Sequence, residues 1–300
     1  MTGTGLADAQ TLAETLPRTR TRIFPRRGTL IVSTDMHGNG EDFAALRDRF
    51  LAARAQEAET YWAILGDAVH GPSPEARGRR PDLYDYDDQS AAIVLGILEL
   101  QAAHGEHVVY VLGNHDHGHV GGPHTAKFYP DEVAALERRC SAGELAGIQE
   151  LFSRAMLAAL APCGVLLAHG CPDDRLVRFA DLEEVRWSRG ENDVYRRHLL
   201  DTFTRSYGQS EAVVERLLKA VTATAVAVNL IIHGHDRDEA GYFMASGARV
   251  LCPVLFGAPR GEKRYVQLDL AATYASAAVL RDGVEIRRLH GVDAAVSAAG

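Results

Sequence analysis

Five short apolar runs, each stopped by a polar cluster that contains His, Asp or Asn, constrain this chain more than any other feature. Leu30 to Thr34 ends at Asp35-Met-His37-Gly-Asn39, and Tyr61 to Leu65 ends at Gly66-Asp67. His107 to Leu112 runs into Gly113-Asn114-His115-Asp116, Gly164 to Ala168 into His169-Gly170, and Asn229 to Ile232 into His233-Gly234-His235. Runs of this length, rich in β-branched residues, suit strands buried on both faces. Between them lie helical patterns. Glu41 to Ala55 places Phe43, Leu46, Phe50 and Leu51 at near-helical spacing, Ala91 to His104 is a second helix, and Ser210 can cap a third whose apolar face is Val213, Val214, Leu217, Leu218 and Val221. The alternation predicts an α/β fold with an open sheet, where sites collect beyond the carboxyl ends of the strands.

After His235 the pattern changes. Gly241 to Ala245, Arg249 to Cys252, Tyr265 to Asp269 and Ala275 to Leu280 read as consecutive antiparallel strands completing a second sheet. Residues 72–89 read as a loop. The boundaries expected are a flexible basic arm over 1–28, one catalytic domain over 29–292 and a tail over 293–300, since 300 residues can fill one large core. An excess of acidic residues, 40 against 32 basic, argues against nucleic acid or an anionic membrane as partner. The cysteines Cys140, Cys163, Cys171 and Cys252 form no CxxC pair and read as reduced thiols. With no apolar run of membrane-spanning length, a cytoplasmic protein is expected.

The clusters suit a pair of divalent cations, which needs hard oxygen and imidazole donors converging from several elements with one carboxylate shared. Asp35 and His37 can serve one ion from a single turn, Asp67 is the natural bridge, Asn114 offers an amide oxygen, and His169 and His235 supply nitrogen to the second ion. No Cys stands near, so manganese, iron and zinc all stay open. One such cluster alone is more often a turn than a ligand pair; the ordered set of five carries the signal.

As an ordered set, Asp35-Met-His37-Gly38, Gly66-Asp67, Gly113-Asn114-His115-Asp116, His169-Gly170 and Gly234-His235 resemble the signature of the calcineurin-like metallophosphoesterases. Within that superfamily the chain is most similar to the serine/threonine phosphoprotein phosphatases. His124 to Glu132 resembles their Tyr-Gly-Phe-x-Asp-Glu segment, Phe256-Gly-Ala-Pro259 their Phe-Ser-Ala-Pro, and Gly241-Tyr242 their Asp-Gly-Tyr. The resemblance implies a sandwich of two mixed β-sheets flanked by helices, with the dimetal site at one edge. It also implies two divalent ions, Mn2+ foremost with Fe or Zn as alternatives, direct attack by a metal-activated hydroxide, and His115 as general acid. The substrate expected is a phosphorylated protein or a small phosphate monoester. A phosphodiesterase, a dinucleoside polyphosphate hydrolase and a non-catalytic phospho-binding module are the alternatives.

The chain departs from the family where Gly-Asp-x-Val-Asp-Arg-Gly is expected. It has Gly66-Asp67-Ala-Val-His70-Gly71, so His70 occupies the place of the Asp that orients the acid histidine, and the phosphate-holding Arg is missing. Asp85, Asp87 or Asp88 from the following loop can fold back toward His115, and Arg77, Arg79 or Arg80 toward phosphate. Arg237, Arg260, Arg205 and Arg197 are further candidate phosphate clamps, because a guanidinium grips two phosphoryl oxygens at once. Asp116 is expected to bond neighbouring backbone and to help orient His115. His233 reads as support for His235 or as core, and His117, His119 and His124 as a flexible polar loop.

Overall fold

The computed structural model describes residues 19–291, so most of the expected basic arm and the tail from 293 lie outside the described residues. In chain order the strands are β1 Thr21–Ile23, β2 Thr29–Ser33, β3 Thr60–Ile64, β4 Val108–Tyr110, β5 Ala158–Ala161, β6 Val165–Ala168, β7 Leu230–Ile232, β8 Tyr242–Ala245, β9 Val250–Pro253, β10 Arg264–Asp269 and β11 Ile286–Arg288. They form two mixed sheets, one ordered β11-β10-β2-β3-β4 and the other β1-β5-β6-β7-β9-β8. In the first sheet β2, β3 and β4 are parallel, with β10 antiparallel at the flank. In the second, β6, β7 and β9 are parallel.

Strand periodicity divides the apolar residues between two cores. Leu30, Val32, Ala63 and Val109 face Ala159, Val165, Leu167, Ile232 and Leu251 between the sheets. Their neighbours Ile31, Trp62, Ile64, Val108 and Tyr110 face outward and are covered by helices. On that side lie α1 Gly40–Gln56, with Phe43, Leu46 and Phe50, and, after the short helices α2 Pro74–Arg79 and α3 Pro81–Tyr84, α4 Ser90–His104, with Ile93, Val94 and Ile97. Each large side chain so buried contributes about 1.5–3 kcal/mol relative to exposure. The remaining helices are α5 Asn114–His117, α6 Glu132–Glu137, α7 Ala142–Ser153, α8 Val194–Arg205 and α9 Glu211–Thr224. Among the described residues no helix is long and apolar enough to cross a membrane.

Four details differ from the sequence expectation. Within the expected arm, Thr21–Ile23 is a strand paired in parallel with β5. The strands after His235 do not complete one sheet: β8 and β9 join the second, β10 and β11 the first. Ala275 to Leu280 is not a strand but holds a 3-10 turn over Ala277–Val279, because Ala277 N–H bonds the Ala248 carbonyl rather than a ladder. The loop over 72–89 contains α2 and α3, begun by Pro74 and Pro81 at first-turn positions where a missing N–H costs nothing.

A buried ionic cluster ties the chain's later segments to α1. The Asp42 carboxylate accepts from Lys263 Nζ and, at 2.7 Å, from His290 Nε2, and all three side chains are buried. Lys263→Met removes one of the two side-chain donors to the buried Asp42 carboxylate. It should lower stability by about 3–5 kcal/mol, read as a lower urea midpoint at unchanged slope.

Candidate metal centre

The turns that follow β2 and β3 keep pairing beyond the strands. Asp35 N–H donates to the Gly66 carbonyl at 3.0 Å, His37 N–H to Asp67 at 2.9 Å and Gly38 N–H to Ala68 at 2.9 Å. Asn39 then caps α1, its Oδ1 accepting from Glu41 and Asp42 N–H at 3.1 Å. This fixes both turns against each other, and several residues there and after β7 take the left-handed backbone that L-residues avoid. Asp35 (φ 52°), His37 (φ 43°), Asp67 (φ 52°), His70 (φ 70°) and His235 (φ 69°) all do so, at about 1–3 kcal/mol each. Such strain persists where surrounding contacts hold it, and here it aims polar side chains inward.

Close approach requires glycine twice. A Cβ on Gly113 would lie 2.1 Å from Asp67 Oδ1, and one on Gly234 would lie 1.8 Å from Thr34 Oγ1 and 2.5 Å from Asp35 Oδ2. With both absent, the ends of β2, β3, β4 and β7 converge. Asp67 Oδ2 lies 3.6 Å from His37 Nε2 and 3.4 Å from His169 Nε2, between the two rings. Asp35 Oδ1 also stands 3.6 Å from His37 Nε2. Asn114 Oδ1 is 3.2 Å from His169 Nε2 and 2.8 Å from His235 Nδ1.

Whether this set fits cations is decided by where its protons go. His169 donates its Nδ1 proton to the Leu65 carbonyl at 2.6 Å, and His37 donates its own to Val69 at 3.1 Å. Each ring therefore turns its Nε2 toward carboxylate or amide oxygens, and an unprotonated Nε2 there is an acceptor facing acceptors. Acceptors facing acceptors repel unless a cation stands among them. Without that cation the only relief is a proton: burial opposes it, but Asp67 and Asp35 hold His169 up to about 10. Burial raises the Asp67 carboxyl, and the surrounding imidazoles of His169, His115 and His37 prevail to hold it well below its usual range. All six ligand residues expected from the sequence are brought together, and the donor set fits divalent cations.

Asp116 supports this centre from behind. Buried completely, it accepts from Asp67 N–H at 2.8 Å, Gly113 N–H at 2.9 Å, Ala68 N–H at 3.2 Å and the Tyr110 hydroxyl at 2.8 Å. Burial and the Asp67 charge push its carboxyl up to about 7, while four donors favour the ionised form. No hydrogen bond to the His115 ring is among these contacts, so Asp116 holds backbone and not that ring. His115 N–H is itself held by Asp67 Oδ1 at 2.9 Å.

The ring partners of His115 come from elsewhere. Its Nδ1 lies 3.0 Å from His70 Nδ1, 3.1 Å from Thr125 Oγ1 and 3.3 Å from Glu132 Oε2. Asp87 pairs with Arg77, Asp88 holds Ser90 and Arg139, and Asp85 is exposed, so none of the three carboxylates proposed from the loop does this. Glu132 lay within the segment that resembled the family motif, but nothing in its spacing pointed to His115.

A cleft of about 670 Å³ opens over the centre. Of the arginines expected there, Arg237 lines it, and its guanidinium has no ion-pair partner among the described residues. Arg80 lines it too but is tied to Asp82 and Glu239. The others are engaged outside the cleft lining: Arg260 by Glu41, Arg205 by His117 and Asp201, Arg197 by the Asn192 carbonyl, Arg77 by Asp87 and Arg79 by Glu75. Lys127, which the sequence reading missed, stands in the cleft with its ammonium 4.0 Å from the Phe256 ring. Phe256 packs against His37, ring centres 4.1 Å apart. The loop after Asp116 is ordered: His117 and His119 are buried, and only His124 is exposed, paired with Asp131. His233 is core.

The family model of the calcineurin-like phosphoesterases matches residues 28–237, and the chain belongs to that family. It is therefore a phosphate-ester hydrolase of a family that uses a divalent metal centre, with His/Asp clusters that could hold one. Among solved structures it resembles a serine/threonine phosphatase from Saccharomyces cerevisiae with similarity to human phosphatase PP5, with TM-score 0.60 and 16% identity over 88% of this chain and 80% of that one. It also resembles a cold-active protein-tyrosine phosphatase of a psychrophile, Shewanella sp., with TM-score 0.54 and 15% identity over 87% and 80%. At these identities the likeness concerns the fold. A comparison with curated proteins finds no match.

Because Asp116 acts on the ligands' backbone, Asp116→Asn should weaken Mn2+ binding by about 10–100-fold in calorimetric titration. Saturating metal should then restore most turnover. Lost turnover at full metal occupancy would return Asp116 to the chemistry.

Proposed function

We propose that this chain hydrolyses phosphate monoesters, phosphorylated protein side chains foremost, at a two-cation centre held by Asp35, His37, Asp67, Asn114, His169 and His235. The observation that carries the reading is the pair of cations with no ion pair among the described residues, Lys127 and Arg237, in the cleft above that ligand set. A monoester dianion brings more charge than a diester, and an unpaired ammonium and guanidinium supply the extra compensation. The wide opening of the cleft suits a phosphorylated side chain on a protein surface.

Divalent ions bound there, Mn2+ being the pair we expect, supply Lewis acidity toward phosphoryl oxygens and a nucleophile from water near neutral pH. The residues do the rest. Arg237 and Lys127 orient the phosphoryl group, and His115 delivers a proton to the leaving alkoxide. Asp67 fixes His115 through its backbone N–H while its other oxygen faces His37 and His169, so acid and ligand set keep one geometry.

One feature favours a nucleotide-type diester instead. The Tyr207 ring, largely exposed at the cleft edge and 4.5 Å from the His235 ring, offers a stacking surface. Turnover of an aryl phosphomonoester beside the matching diester, on chelator-stripped protein resupplied with Mn2+, separates the two. Monoester preference is expected, with kcat lowered about 10²–10⁴-fold in His115→Asn. Diester preference would replace the proposal, and no turnover despite bound metal would leave a binding module.

Lys127 adds a pH signature. The enclosing cleft walls and the neighbouring Arg237 charge lower its ammonium to about 8. Its positive charge is thus present below that pH and lost above it. KM for the monoester should rise as pH passes about 8, and Lys127→Arg, whose charge persists, should flatten that rise.

A further inference from the structure

His70, at the position where the family carries a carboxylate, forms with its neighbours a second cluster of donors. His70 Nδ1 and His115 Nδ1 lie 3.0 Å apart, and Thr125 Oγ1 is 3.3 Å from the first and 3.1 Å from the second. Glu132 Oε2 is 3.3 Å from His115 Nδ1 and 4.0 Å from His70 Nδ1. His70, His115 and Glu132 are all buried, with Glu132 1% exposed. Glu132 Oε1 accepts Phe128 N–H at 3.0 Å, but Oε2 has no hydrogen-bond partner although it is aimed into the cluster. A buried carboxylate oxygen left so is costly, and it points to a missing positive partner.

The tautomers agree. His119 Nδ1 lies 3.0 Å from Glu137 Oε1 and so carries a proton. Burial lowers the His119 pKa, Glu137 raising it by less, so the ring is neutral and its Nε2 accepts. His70 Nε2, 3.0 Å from that nitrogen, must donate, which leaves a lone pair on His70 Nδ1 facing the cluster. Donors about 3.3 Å apart are what a tetrahedral cation with bonds of about 2.0–2.1 Å imposes. Two imidazoles, a carboxylate and a hydroxyl form a set of the zinc class.

We propose that His70, His115, Glu132 and Thr125 form a further divalent-cation site, separate from the centre bridged by Asp67. A cation on His115 Nδ1 leaves the ring proton on Nε2, the tautomer a general acid needs. Donating Nδ1–H to His70 would instead leave the neutral ring with a bare Nε2. That consequence rests on the acid role proposed above; the site itself does not.

Counting metal tests it without reference to turnover. Full-length protein is stripped with chelator, reloaded with excess Zn2+, desalted and assayed by plasma mass spectrometry. Three equivalents per chain are expected in the parent, and two in Glu132→Gln and in His70→Asn, with circular dichroism confirming that each variant folds. Crystals of the Zn2+-loaded parent should show an anomalous peak between His70 and His115 besides the two at the Asp67-bridged centre. Two equivalents in the parent, three retained in both variants, or no anomalous peak at that position would each overturn the proposal. If either variant fails to fold, the anomalous map of the parent decides alone. Loss of monoester turnover with three ions bound would sink the phosphatase reading and leave this site standing.

Discussion

The fold depends on how the Asp67 carboxylate is shared. One oxygen holds the backbone of His115 at 2.9 Å, and the other stands between the Nε2 atoms of His37 and His169. A single side chain therefore couples the ends of β2, β3, β4 and β6. Repulsion among those acceptors is the reason the site needs cations, and the hydrogen bonds to Leu65 and Val69 are the reason it cannot relax by turning the rings. Affinity for metal is here a property of backbone carbonyls as much as of ligands.

Holding that arrangement is costly. Residues in left-handed backbone cluster at the site, and each would relax in an isolated peptide. What offsets the strain is the pair of apolar layers that fix the strands on both faces, together with Asp116, which gathers three backbone N–H groups where the turns of β3 and β4 meet. The glycines at 113 and 234 act on the same problem from the other side, since any side chain there would push a carboxylate out of reach. The rigid sandwich and the strained rim are thus two parts of one device.

Much of this was legible in the sequence. Runs such as Leu30 to Thr34 are buried on both faces and announce themselves as strands; α1, α4 and α9 carry apolar stripes that declare their length. The convergence of the six candidate ligands was legible because each sits at a strand end, where sequence position and spatial position coincide. What was missed lacks such markers. Ala158–Ala161 has too little side chain to signal a strand, Thr21–Ile23 borrows its partner from a distant segment, and Ile286–Arg288 is largely charged. Of the arginine candidates only Arg237 and Arg80 line the cleft, and the others are held elsewhere for a related reason. A guanidinium's partner depends on which carboxylate lies within its reach, and Glu41 for Arg260 or Glu75 for Arg79 becomes its neighbour only through the fold.

The partner of His115 shows how far a motif can mislead when its geometry is preserved. A family pattern expects a carboxylate three residues after Asp67, and this chain has a histidine there, which on the motif alone reads as damage. The carboxylate is present in space, supplied by Glu132 from the first turn of α6 and buried against the same ring. With the negative charge supplied from another element, position 70 holds an imidazole, which contacts His119 and through it the carboxylate of Glu137. In place of a direct Asp–His pair stands a cluster with more donors than one proton can satisfy. Chemistry constrains the charges around His115, and the chain is free to choose which elements deliver them.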